Sequence, residues 1–310
     1  MKTNPIKHLT IFATQWLVFP FFIIATILAM YLVQFTTISP IVMQMSMFMT
    51  AIFVVALLER WLPLHDKSHA RDKRDGRINL TSFAVLVAVV DPFLKVFTPF
   101  VLSVIIVIFG MPKGFNLIPT DWSFISQLLV AILIAELGEY WMHRLGHVSW
   151  LWRFHSSHHS SSRMNWLTGF RVHPFNMIYH HFSGIFILML TGTNELIILT
   201  YITLQSVSNV FQHTNVQFRY GVLNYIFSTN ELHRWHHSAI KGEANSNYGV
   251  VLIVWDLIFG SYYNRAHQIP DNFGLFSGKN YPVNSYWRQL VAPIFWNKWK
   301  IAVVEDVDNK

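Results

Sequence analysis

Apolar residues in this chain gather in long unbroken stretches instead of alternating with polar ones. Residues 11–35 carry no charged side chain, which exceeds the roughly 20 residues a helix needs to cross about 30 Å of hydrocarbon. The stretch predicts a spanning helix with Pro20 as a candidate kink. A cleavable leader would have a shorter apolar core and no second apolar run directly behind it. The second run, 40–58, ends at Glu59 and Arg60 and forms a hairpin with the first. A third, 80–109, is interrupted by Asp91, Pro92 and Lys95, so it predicts a broken or partly buried helix instead of one facing lipid all round. A fourth covers 123–142 and is reached through the turn-rich GMPKGFNLIPTD. Beyond it the apolar pieces shrink to 182–190 and 196–204, separated by TGTNE. Each is too short to span, which predicts a shallow helical hairpin or a buried pair of helices. Near the end, 284–300 mixes Tyr286, Trp287, Phe295, Trp296 and Trp299 with Arg288, Lys298 and Lys300, a composition suited to the headgroup layer.

The pattern therefore predicts an all-α integral membrane protein with about four transmembrane helices. We read one membrane domain over 1–310: mainly transmembrane helices over 1–142, a histidine-rich catalytic cap over 143–265, and an interfacial tail over 266–310. Loop 59–79 holds Arg60, Lys67, Arg71, Lys73, Arg74 and Arg77, and the N-terminus adds Lys2 and Lys7. The positive-inside rule places both segments, and with them the cap, in the cytoplasm.

Composition sharpens this picture. Hydrophobic residues make up 53% and charged residues 13%, too apolar for an ordinary soluble domain. The net charge of +7 is scattered among the apolar runs, which favours an anionic leaflet over nucleic acid. The absence of cysteine excludes disulfides, cysteine-ligated clusters, thiolate-ligated haem and a cysteine nucleophile.

Histidine carries the chemistry. Twelve of the sixteen fall between 143 and 237. They form HRLGH (His143, His147), HSSHH (His155, His158, His159) and HRWHH (His233, His236, His237). Positions i, i+3 and i+4 share one side of a helix, so each cluster can aim several imidazoles at one point. Neutral imidazole suits iron, zinc, copper or nickel, and eight ligands exceed the about four that one ion takes. The clusters therefore point to two ions, with each adjacent HH pair split between them. A lone histidine is more often a satisfied core residue, but eight buried imidazoles without metal would leave ring nitrogens unpaired at about 1–3 kcal/mol each.

The remaining histidines carry weaker expectations. His213 in FQHTN is a candidate ninth ligand, and His173 in RVHPF is either a ligand or a hydrogen-bonded support. His180 and His181 read as interfacial anchors, and His8, His65, His69 and His267 as solvated. Glu136 and Glu139 precede His143 on the same helical stripe, so each is a candidate imidazole support or a salt-bridge partner of an arginine. Asp256 in VVLIVWDLIFG is either a histidine support or a polar contact at a helix end.

These clusters, together with ELGEYWMHR, RVHP, QHTN and NYGVVLIVWDLIFGSYY, make residues 130–263 resemble the fatty acid hydroxylase superfamily, the sterol desaturase family of membrane di-iron oxygenases. The resemblance implies that the eight clustered histidines, with His213, bind two ferrous ions in a cytoplasmic helical cap. Family members usually carry Asp where this chain has Glu136. No further HXXXH cluster surrounds His213, which argues against the fatty acyl 2-hydroxylase branch.

The activity so implied is dioxygen-dependent hydroxylation or desaturation of a lipid-like substrate entering sideways from the bilayer: a sterol, a fatty or alkyl lipid, a sphingoid lipid or a carotenoid. No GXGXXG fingerprint or cysteine-bound cluster is present, so electrons are expected from a separate reductase, ferredoxin or cytochrome. Zinc is expected to replace iron in overexpressed preparations, because it binds such ligands more strongly. The rival readings are a membrane metal transporter or metal-binding protein, for which only Asp91 and Lys95 lie deep enough, and a zinc hydrolase using a nearby Glu as base.

Overall fold

A backbone crossing hydrocarbon finds no water to bond, so it must satisfy its own N–H and C=O groups, and the long apolar runs are helical for that reason. The computed structural model describes residues 5–65, 73–110, 112, 115–148, 150–265, 268–276 and 280–299. Lys2, Lys67, His69, Arg71, His267 and Lys300 lie outside the described residues. Helix α1 spans Pro5–Leu32 and α2 spans Pro40–Trp61. The third run comprises α3, Lys73–Val85, a π-helical turn over Leu86–Val90, and α4, Asp91–Phe109. Helix α5 spans Phe124–Gly146. Four segments are long and apolar enough to cross a membrane: Ile6–Phe35, Pro40–Trp61, Arg74–Phe109 and Phe124–Gly146. Hydroxyls within the helices turn back on their own backbone, as Thr14 does to the oxygen of Thr10 and Thr50 to that of Ser46, which hides them from lipid.

The third run is one continuous helix that widens into a π turn directly before Asp91 and Pro92 and is partly buried, not broken. At 36 residues it is about 54 Å long, longer than the hydrocarbon is thick. Its buried stripe is Leu86, Val90, Leu94 and Thr98, spaced four apart as a helix packed on one side requires. Asp91 and Lys95 face outward and pair with each other at 2.7 Å. They line no path through the bundle.

The two short apolar pieces form the second of the alternatives expected for them, a buried pair, and they run deep. Helix α7, Pro174–Ser183, continues through Gly184 into α8, Ile185–Leu190, and α9, Glu195–Gln212, returns. The Asn194 side chain caps α9 by accepting from the Leu196 N–H at 2.8 Å. The turn before it meets the loop between α4 and α5, where the Leu117 N–H donates to the oxygen of Thr191 at 2.8 Å. The hairpin thus reaches the end of the bundle remote from the cap. Its α9 packs against α1, α2 and α5. Ala51, Ala131 and Ala135 in this core are fully buried, and such small side chains let helix backbones approach closely.

The cap is built from short pieces: α6 (Trp152–His155), 3₁₀ turns at His158–Ser160 and Trp166–Phe170, α10 (Asn230–His236), α11 (Lys241–Ala244), α12 (Val254–Ile258) and α13 (Tyr286–Val291). No strand occurs among the described residues, only isolated bridges such as Phe227 with Leu252. The tail departs in part from a purely interfacial segment. Trp287, Ile294 and Phe295 are exposed, whereas Tyr286 and Trp296 are buried. Gln289 is buried as well, donating to the oxygens of Pro282 and Val283 and accepting from Ser157 Oγ. The tail is therefore fastened beside the HSSHH turn.

Candidate metal centre

Local structure explains how the histidines come together. His143 lies in the last turn of α5, and His147 is its C-cap. The segment then folds back through α6, bringing His155 toward His143, with Nε2 atoms 3.2 Å apart. His213 caps the end of α9, and His237 caps α10. The imidazoles sort into two groups whose candidate ligand atoms lie within 4.8 Å of one another: His143, His147, His155, His159 and His236, and then His158, His213, His233 and His237. Adjacent pairs divide between groups, His158 from His159 and His236 from His237. Consecutive residues in a helical turn point about 100° apart, so one chain segment feeds two centres.

The hydrogen bonds on the outer ring nitrogens define the donor set. His143 Nδ1 donates to the oxygen of Tyr248 at 2.7 Å, His236 Nδ1 to that of Ser246 at 2.7 Å, His213 Nδ1 to that of Asn209 at 2.9 Å and His158 Nδ1 to that of Arg171 at 3.3 Å. His155 Nδ1 faces Asn176 Oδ1 at 2.8 Å, and His147 Nδ1 faces Asn245 Oδ1 at 3.1 Å. A carbonyl oxygen only accepts, so these Nδ1 atoms carry the protons and the Nε2 lone pairs turn inward. Inside, Nε2 atoms crowd together: His155 with His159 at 3.1 Å, His158 with His213 at 3.2 Å, His213 with His233 at 3.0 Å and His233 with His237 at 3.1 Å. His147 Nε2 and His236 Nε2 are buried without a hydrogen-bond partner. Converging lone pairs without a shared proton repel, and a cation between them removes both the repulsion and the orphaned atoms. The residues present therefore fit two metal ions.

Burial, followed by neighbouring imidazoles, holds His147, His155, His158, His159, His233, His236 and His237 well below the usual histidine range, and burial brings His213 to about 4. The rings are thus neutral near pH 7, the state that ligation requires.

Several expectations need correction. His173 belongs to neither group: its Nδ1 accepts from the Phe175 N–H at 3.1 Å, capping α7, and its Nε2 donates to the oxygen of Leu290 at 3.1 Å. Among the described residues, Glu136 and Glu139 bond neither an imidazole nor an arginine. Glu136 accepts from the N–H groups of Val250, Val251 and Leu252, at 2.9 Å from Val251. Glu139 accepts from Gln205 Nε2 at 2.7 and 2.6 Å, and Tyr201 Oη donates to both carboxylates. Asp256 accepts from the N–H groups of Tyr248 and Gly249 and from Ser261 Oγ. Its aid to histidine is indirect, since it fixes the backbone whose Tyr248 oxygen orients His143. His65 is half-buried and donates through its N–H to Asn215 Oδ1, whereas His8 is exposed. His180 and His181 face inward and not toward a headgroup layer.

Those two histidines line a cavity of about 220 Å³. Its ceiling is His143, His155, His158, His213 and His233, its apolar wall is Leu86, Phe170, Val172, Met177 and Ile185, and its opposite wall is the α9 stripe Gln205, Ser206 and Asn209. His181 Nε2 meets Thr98 Oγ1 at 2.9 Å, joining the third membrane helix to α7. The cavity lies beneath the histidines, between the third membrane helix, α7, α8 and α9.

Residues 128–261 match the family model described as fatty acid hydroxylase. The chain is 31% identical over 255 residues to ornithine lipid hydroxylase OlsE of Rhizobium tropici, covering 79% of this chain and 74% of the relative. It is 30% identical over 200 residues to alkylglycerol monooxygenase of Homo sapiens, covering 60% of this chain but only 43% of that relative. Methylsterol monooxygenase 2-2 of Arabidopsis thaliana is 27% identical over 169 residues, 53% of this chain and 62% of the relative. No solved structure matches.

Proposed function

The chain belongs to the fatty acid hydroxylase family, and from that premise we propose that it is a membrane monooxygenase that holds two iron ions on nine histidines and hydroxylates a lipid with dioxygen. The observation that carries this reading is the inward convergence of Nε2 atoms in two adjoining groups above the cavity. His143, His147, His155, His159 and His236 would hold one ion, and His158, His213, His233 and His237 the other.

Two ferrous ions would supply the reduction of dioxygen and the oxidant that attacks an unactivated C–H bond. This chain's own residues do the rest. The Nδ1 bonds to Tyr248, Asn245, Asn176, Arg171, Asn209 and Ser246 keep six of the nine rings, His143, His147, His155, His158, His213 and His236, turned inward and fix their tautomer. Leu86, Phe170, Val172 and Ile185 exclude water and guide an apolar chain toward the ceiling. Hydroxylation consumes one dioxygen, two electrons and two protons and releases one water. The chain has no cysteine, so the electrons would come from a separate reductase, ferredoxin or cytochrome.

The cap is assigned to the cytoplasmic side. Arg60, Arg74 and Arg77 lie at the cap ends of α2 and α3, and the start of α1 is at that end too, where the Arg219 N–H donates to the oxygen of Gln15 at 2.9 Å. A transport path is disfavoured by the outward-facing Asp91–Lys95 pair.

The test is lipid mass spectrometry of cells with and without the gene, grown under labelled dioxygen. A lipid that gains one labelled oxygen atom only when the gene is present supports the assignment. Identical lipid profiles, with zinc and no oxygen uptake in iron-reconstituted protein, would sink it.

A further inference from the structure

The cavity is not the plain apolar slot that a hydrocarbon tail would need. Gln205 and Asn209 stand one turn apart on the same face of α9, in line with His213. Their half-buried side chains line the cavity. Gln205 spends its amide N–H groups on both oxygens of Glu139, and its Oε1 has no hydrogen-bond partner among the described residues. The Asn209 amide has none at either atom, and neither do the ring nitrogens of His180. The His180 ring sits 5.5 Å from that of His143, centroid to centroid. Three unpaired polar groups thus converge on a small cavity beneath the proposed metal pair. Polar atoms placed this way in an apolar site fix the orientation of a ligand that can bond them.

Resting on the hydroxylase reading above, we propose that Asn209, Gln205 and His180 form a subsite for a hydrogen-bonding group of the substrate, an amide, amine or hydroxyl, so that oxygen enters close to that group instead of in the middle of an alkyl chain. Geometry sets the reach. Asn209 lies one helical turn, about 6 Å, from His213, a distance spanned by about five carbon–carbon bonds. Glu139 is a positioning residue: it grips the Gln205 amide nitrogen and leaves Oε1 for the ligand. Gly184 packs its backbone against the Glu139 carboxyl so closely that a Cβ there would collide with it. The carboxyl is thereby held beneath Gln205. A substrate lacking the polar group would leave all three groups unpaired, which discriminates more strongly than the loss of a methylene.

The experiment uses metal-loaded full-length protein in nanodiscs and two radiolabelled probes, lauramide and dodecane. Lauramide is expected to be retained over dodecane by about tenfold to a hundredfold, relative to empty nanodiscs. Asn209→Leu and Gln205→Leu abolish the preference while metal per chain stays constant. Asn209→Asp, which keeps the side chain's shape and removes its donor, weakens lauramide retention without that large a change in packing. In turnover under labelled dioxygen, the label is expected within about five bonds of the polar group. Equal retention of the two probes, unchanged retention in all three variants, or a label in the interior of the chain overturns the proposal even if hydroxylation is observed. A lauramide preference that disappears in the variants, with no oxygen consumed, supports the subsite and sinks the oxygenase reading instead.

Discussion

Arg171 donates through Nη1 to Asp75 Oδ1 at 2.9 Å, and the arginine is fully buried. The same guanidinium donates to the oxygen of Val283, and the Arg171 carbonyl receives the Nδ1 proton of His158. One residue therefore joins the third membrane helix, the tail and one candidate ligand. Removing one partner of a buried pair strands the other charge, at about 3 kcal/mol or more. Asp75→Asn is expected to lower the thermal unfolding midpoint markedly, whereas Asp91→Asn, in an exposed pair, changes stability by less than about 1 kcal/mol. Differential scanning fluorimetry in detergent compares the two, and equal effects would contradict the structural role given to Arg171.

The grouping of imidazoles predicts a stoichiometry. Iron-reconstituted protein is expected to hold two ions per chain. His213→Ala or His237→Ala lowers occupancy toward one, with the remaining ion in the five-histidine group, and His147→Ala or His236→Ala does the reverse. Elemental analysis with absorption spectroscopy reads this, and the paired variant His237→Ala with His236→Ala is expected to hold almost none. An unmodified chain that binds a single ion, undiminished by either substitution, would leave the two-group arrangement without chemical meaning.

Much of the site is legible in the chain because it depends on spacing. HXXHH already contains the division of His158 from His159 and of His236 from His237, since neighbouring helical positions point apart. The hydrogen-bond partners of the rings are not legible, because four of them are main-chain oxygens, of Tyr248, Ser246, Asn209 and Arg171, which no residue type announces. His173 did carry a signal: the Pro174 that follows it opens a helix and leaves His173 as the N-cap. The depth of the α9 hairpin was hidden for a related reason. Gln205, Ser206 and Asn209 shorten its apolar run, yet they face a cavity inside the bundle and not water. Glu136 does not support an imidazole because the N–H groups of residues 250–252 occupy its carboxylate.

Neutral buried histidines make the metal-free protein sensitive to acid. In the unfolded chain these rings take up protons below about pH 6.5, whereas burial brings His213 in the fold to about 4 and holds His233 and His237 well below the usual histidine range. The unfolded state therefore binds more protons as the pH falls, and stability declines from about 6.5 downward. Each such histidine contributes about 1.4 kcal/mol per pH unit within that window. Chelator-treated protein is expected to show an unfolding midpoint that is level above neutrality and drops steeply toward pH 5. A midpoint flat across that range would mean that the rings are solvated.

Gly169 offers the sharpest single test of the junction between metal site and cavity. A Cβ at this position would lie 2.7 Å from His213 Nδ1 and 2.8 Å from both side-chain heteroatoms of Asn209. The His213 ring cannot yield freely, since its Nδ1 is committed to the Asn209 main-chain oxygen at 2.9 Å and its Nε2 lies 3.0 Å from that of His233. Gly169→Ala therefore has to rotate the His213 ring or displace the turn at Trp166–Phe170. Overpacking of this kind costs about 1–3 kcal/mol, and a ligand moved by a fraction of an ångström binds its ion less tightly. The variant is expected to fold, to lose iron from the four-histidine group by about tenfold in affinity, and to lose activity in proportion. Gly76→Ala, with nothing within 4 Å of the added atom, is the matched control. Full metal occupancy and turnover in Gly169→Ala would show that His213 has room to move, and would remove it from the set of groups on which oxygen chemistry depends.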